Sequence, residues 1–159
     1  MTKTFRQGAV GALLDEYERA ISDLKKVIED IPDNALTIIA DPQTDNEDCR
    51  SVQTVLSHVV HSGYGYATRI HNLRGNNLER PVKTFRLTIR EYLDDLTNVF
   101  SYTENTFSGI TDNELEQFDD ALKMRAWGQV YDIEQMMEHA IVHILRHRRQ
   151  VEKFKLLII

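Results

Sequence analysis

The sequence predicts an all-α protein, a four-helix bundle, and three observations carry that prediction. Four long stretches repeat apolar side chains at three- and four-residue intervals, the period of a helix with one buried face. No segment shows the strict apolar/polar alternation of a half-buried strand. The stretches are punctuated by Pro, by Gly, and by Ser, Thr or Asp in cap positions. At 159 residues and 42% hydrophobic content the chain can bury a real core, and residues 1–159 are read as one domain without internal repeats.

The first helix is expected from about Gly8 to Asp30. Val10, Leu13, Leu14, Tyr17, Ile21, Leu24, Val27, Ile28 and Ile31 line its apolar side, Glu16, Arg19, Asp23, Lys26 and Glu29 lie opposite, and Pro32 and Asp33 stop it. Residues 32–50 form a long connection in which Leu36, Ile38 and Ile39 are expected to make one short turn against the bundle. A connection of this length is either functional or a plain crossover.

Ser51 is the expected N-cap of the second helix, SVQTVLSHVVHSGYGYATRIHNLR, whose buried side is Val52, Val55, Val59, Tyr66, Ile70 and Leu73. His58 lies at the edge of that stripe and leans inward, whereas His61 falls about 150° from its centre and is expected on the surface. Gly63 and Gly65 are costly inside a helix and predict a bend, or the close approach of another backbone. Gly75, Asn76, Asn77 and Pro81 mark another long connection. The third helix begins near Thr88, where Thr88 and Glu91 have capping-box spacing, and buries Ile89, Tyr92, Leu93, Leu96, Val99, Phe100 and Phe107. Residues 111–130, with Trp127-Gly128, are a mixed segment, and Asp132 with Gln135 caps the last helix.

That last helix, read over Tyr131 to Val151, carries the chemistry. At about 100° per residue, Ile133, Met136, Ala140, Ile144, His147, Val151 and Phe154 fall on one side of His143 within a sector of about 100°. His143 and His147 therefore sit one turn apart in the core-facing stripe, a spacing at which two imidazoles can chelate one metal ion. A lone histidine on an apolar face is usually a hydrogen-bonded core residue; two centred there each need a polar partner, which favours a metal. His139 flanks the pair about 40° away, and Arg146 and Arg148 point outward. H-E-x-x-H is absent, and Glu138 points about 140° from His143, too far to act as its general base.

The net charge of −6 and the lack of a basic stripe argue against nucleic acid as a partner. No window approaches a membrane-spanning apolar run, and the opening MTKTFRQGAVGALLDEY lacks that of a signal peptide, so a cytoplasmic protein is expected. Cys49 is the sole cysteine, which excludes an internal disulfide and a thiolate cluster. The closing KFKLLII is an apolar tail that must dock or pair with a second copy.

SVQTVLSHV and WGQVYDIEQMMEHAIVHILRHRRQ together resemble the DinB/YfiT family of metal-binding four-helix bundles. In that family a histidine about seven residues into the second helix joins an H-x-x-x-H pair before an R-x-Q-like ending; those positions are His58, His143 and His147 here. The family's tryptophan before the second helix is replaced by Arg50. The resemblance implies an up-down-down-up bundle with long crossovers, a homodimer, and a divalent metal, nickel or zinc first and iron or manganese after them. It also implies a metal-dependent thiol S-transferase acting with a low-molecular-weight thiol on a small-molecule substrate, with Arg69 or Gln150 orienting that substrate. A hydrolase of the same fold, or a stress-associated metal-binding protein without turnover, stands as the alternative.

Overall fold

The computed structural model describes residues 4–159, so the first three residues of the stretch read for a leader lie outside it. Helix α1 (Gly8–Ile28) has no side-chain cap of its own; the carboxylate of distant Asp112 accepts from Val10 N at 2.9 Å instead. Gly8, at φ +74°, makes this possible, because a Cβ there would collide with that carboxylate. The helix ends two residues before the expected Asp30, and buried Ile31 turns back into the core. Helices α2 (Val52–Leu73), α3 (Ile89–Thr106) and α4 (Ile133–Ile158) open with reciprocal caps from Ser51/Thr54, Thr88/Glu91 and Asp132/Gln135.

Two corrections concern α4. Tyr131 belongs to a strand, so the helix starts at Ile133, and it runs past Val151 to Ile158. The apolar tail is thus its last turns: Phe154 is buried, while Leu156, Leu157 and Ile159 are 86%, 70% and 67% exposed.

A third correction is a small antiparallel hairpin, β1 (Met124–Ala126) with β2 (Gln129–Tyr131), where no strand was expected. Three residues per strand are too few to show alternation. Trp127 and Gly128 form the two-residue turn, both at positive φ (+50° and +76°), the backbone that matches strand twist in a tight hairpin.

Side-chain contacts give the direction of every helix. Lys155 near the end of α4 bonds Val27 O and Asp30 at the end of α1, so these two run parallel. Ser57–Tyr92 and Thr68–Tyr102 make α2 and α3 parallel. Lys25–Thr97 and Arg6–Glu104 set α1 antiparallel to α3, and α2 packs antiparallel on α4. The result is an up-down-down-up bundle whose packed pairs are α1·α4, α1·α3, α2·α3 and α2·α4.

Parallel α2 and α3 oblige residues 74–88 to run back along the bundle before α3 can begin. That return segment is pinned where Gln53 donates to Arg86 O at 2.8 Å, Ile89 N donates to Asp33 at 2.7 Å, and Lys83 pairs with Asp48.

The predicted apolar stripes of α2, α3 and α4 are buried or half-buried throughout. Of the expected turn at 36–39, only Leu36 is buried; Ile38 and Ile39 are 44% and 55% exposed. Helix α2 runs without a break through Gly63 and Gly65. What approaches them is side chain rather than backbone: Tyr17 and Val99 at Gly63, Arg80 and Arg69 at Gly65. Among the described residues, no helix is long and apolar enough to cross a membrane.

Candidate metal centre

Helices α2 and α4 pack against each other over the face where the histidines lie, and the three imidazoles converge. One nitrogen from each of His58, His143 and His147 falls within 4.8 Å of the other two, an arrangement that could hold a metal ion. His143 and His147 are 8% and 7% exposed, and their ring centroids are 4.4 Å apart.

Hydrogen bonds decide which nitrogen of each ring is free. His147 Nδ1 lies 2.8 Å from Gln150 Oε1; an amide oxygen only accepts, so Nδ1 carries the proton and Nε2 keeps its lone pair. His58 Nδ1 lies 3.1 Å from Asp48 Oδ2, which fixes the same tautomer there. His58 Nε2 is thereby left with its lone pair and lies 2.9 Å from His143 Nε2.

Burial, reinforced by the neighbouring His147 and His58, pushes His143 down to about 2. His58 and His147 are also lowered by burial, against the opposing pull of Asp48 and Gln150 respectively. Burial alone would raise the Asp48 carboxyl, but Lys83 and His58 outweigh it and hold it low. The group is therefore three neutral imidazoles, the protonation state that ligates metal, with two of their outer nitrogens already anchored.

A cavity of about 550 Å³ opens beside His58 and His143. Arg69 lines it, as does Ser62 one turn beyond His58 on α2. His61 is half-buried at its wall rather than on the surface as expected, because the 74–88 return segment covers that side of α2. His139 lines it too, stacked on Trp127 with centroids 5.0 Å apart, and is not one of the three converging rings. Gln150 is found elsewhere: it stands behind His147 and lines a separate opening of about 350 Å³ with Cys49. Arg50, in the place of the family's tryptophan, is half-buried there in the chain, pairs with Glu47, and its carbonyl accepts from Ala40 and Asp41 N.

Sequence reasoning missed Asp48, Arg80, Lys83 and Trp127, all of which line this cavity. Nothing distinguishes Asp48 from Asp41, Asp45 or Glu47 in the sequence. Arg80 and Lys83 lie in a connection whose path only the parallel helices determine. Trp127 did carry a signal, since a two-residue turn ending in Gly marks a hairpin. Its φ of +50° is an uncommon conformation for a bulky residue, held here beside the cavity.

A crystal structure of a conserved protein from Enterococcus faecalis has a similar fold, with a TM-score of 0.65 at 12% identity over 96% of this chain and 98% of that one. No curated protein matches the chain. The sequence model of the DinB family matches residues 1–153, nearly the whole bundle and all three converging histidines, and the chain belongs to the DinB family.

Proposed function

We propose that this chain is a metal-dependent thiol S-transferase, joining a low-molecular-weight thiol to a small electrophile, with a divalent ion held by His58, His143 and His147. The observation that supports this reading is the set of three neutral imidazoles converging at the edge of a cavity, two of them oriented from behind by Asp48 and Gln150. Imidazole donors suit zinc, nickel, copper and iron alike, and it is the family resemblance that puts nickel or zinc first, with iron or manganese after them. Three protein ligands also leave coordination positions open, unlike a closed structural site of four. When bound, the ion would supply Lewis acidity, favouring the thiolate of a bound thiol at neutral pH.

The chain's own residues do the rest. Asp48 and Gln150 keep the ring protons of His58 and His147 on Nδ1, turning Nε2 toward the centre. Tyr66, His139 and Trp127 form an aromatic wall against the cavity, with ring centroids 5.4 Å apart for Tyr66–His139. Arg69, whose guanidinium lies 5.0 Å above the Trp127 ring, is positioned to orient the substrate.

A metal-binding protein without turnover is the second reading. It is favoured by one observation: the sole carboxylate among the cavity's lining residues, Asp48, is already engaged by Lys83 and His58, so no free carboxylate base faces the substrate. The test is metal analysis of the purified protein together with consumption of a small thiol by an aryl halide. About one ion per chain and metal-stimulated consumption, both lost in His143→Ala, are expected. Full occupancy in His143→Ala would remove the proposed site; full occupancy without consumption would leave only the second reading.

A further inference from the structure

The cavity beside the histidines is positively charged in a protein whose net charge is −6. Its lining carries Arg69, Arg80 and Lys83 against the single carboxylate of Asp48. Lys83 is paired with Asp48, but among the described residues neither Arg69 nor Arg80 forms an ion pair.

These two arginines are close together. A Cβ on Gly65 would lie 2.9 Å from Arg80 Nη1 and 3.2 Å from Arg69 Nη1, so both guanidiniums close over a position of α2 that has no side chain. Arg69 comes from α2 itself and Arg80 from the return segment. Arg69 Nη1 donates to Gly65 O at 3.3 Å, and its plane is steadied by Trp127. Two guanidiniums facing each other without a counter-ion repel, and burial together with Arg80 lowers the pKa of Arg69. Such a pair is compensated by a planar or tetrahedral oxyanion that takes hydrogen bonds from both forks.

We propose that Arg69 and Arg80, over Gly65, form a binding subsite for a carboxylate or phosphate group of the substrate. Gly65 lies seven residues beyond His58 on the same helix, about 10 Å along its axis. The substrate class is therefore a small acid whose anionic group sits about 10 Å from the end presented to the imidazoles. The inference rests on the proposed function only in calling the ligand a substrate; the arginine pair does not depend on a metal.

Trp127 is the only tryptophan in the chain and lies against Arg69, so its fluorescence reports on the subsite. The full-length protein, both as purified and after chelator treatment, would be titrated with inorganic phosphate, with succinate, and with neutral succinamide at constant ionic strength. Calorimetry would run in parallel. Saturable binding of phosphate or succinate to the chelator-treated protein is expected, with none for succinamide, and the better anion identifies the group recognised.

Arg80→Gln, at an exposed position, should weaken that binding about tenfold or more, the loss of a charge-assisted contact. Gly65→Ala should weaken it without any change in charge, by pushing both guanidiniums aside. Absence of saturable binding, or affinity unchanged in Arg80→Gln, would overturn the inference. Binding seen only in the metal-containing protein and indifferent to Arg80→Gln would also overturn it, while leaving the metal centre standing. Arginine-dependent binding in a protein that takes up no metal would uphold it and refute the metal centre instead.

Discussion

Replacing Gln150 tests whether it acts from behind His147. Its Oε1 accepts from His147 Nδ1 at 2.8 Å beside a ring that is 7% exposed. With an ion on Nε2 the proton must stay on Nδ1, so in Gln150→Ala that N–H would be left without a protein partner, at a cost of about 1–3 kcal/mol. In the metal-free chain the ring escapes most of this cost by moving its proton to Nε2. The loss should therefore appear as weaker metal binding, roughly 5- to 150-fold, with a much smaller change in the stability of the metal-free protein. Competition with a chromophoric chelator measures the first and urea denaturation after chelation the second. Gln150→Glu, which keeps an acceptor on Nδ1, should restore affinity. Unchanged metal affinity in Gln150→Ala, or equal destabilisation with and without metal, would refute the reasoning.

His139→Ala and His61→Ala should keep about one ion per chain, because neither ring belongs to the converging group; loss of metal in His139→Ala with retention in His147→Ala, read by elemental analysis, would show the wrong pair was chosen. Gly63→Ala should destabilise the fold by about 1 kcal/mol in urea denaturation, since its Cβ would press at 3.1 Å on Tyr17 and Val99, which are 1% and 0% exposed and cannot yield. Gly65→Ala meets only guanidinium ends that can swing away, and should be neutral or stabilising by roughly 0.5–1 kcal/mol, the helix-propensity gain. The chain is expected to be a homodimer by light scattering at micromolar concentration, with a version ending at Phe154 testing whether exposed Leu156, Leu157 and Ile159 carry the contact. A monomeric mass for the intact chain would exclude the dimer.

Periodicity made the helices legible because each buries one face, and a buried face leaves its interval in the sequence. The same logic singled out His143 and His147, since polar residues inside an apolar stripe stand out against it; His58, at the edge of its stripe, leaned inward and matched the family's motif. The caps at Ser51, Thr88 and Asp132 were legible because the chemistry of a helix start is local. The rest of the site was not, because its members sit on connections, where long-range contacts rather than local preference set the path. Lys83 reaches Asp48 across 35 positions of sequence, and Arg80 reaches Gly65 only because the chain must return along α2. The tail is legible only in part for a related reason. Four apolar residues look like a docking segment, yet in a helix they spread around the axis and only part of them meets the core.

The partnership of His58 and His143 joins residues 85 apart, and α1 packs on α4 from the other end of the described chain. A nascent polypeptide carrying α1 to α3 would hold one of the three imidazoles and could not discriminate among ions. Closing so large a loop is entropically slow and gains nothing until α4 docks. Capture of the proposed ion would thus wait until the bundle is complete, and the order of assembly itself would guard a half-built chain against the wrong ion.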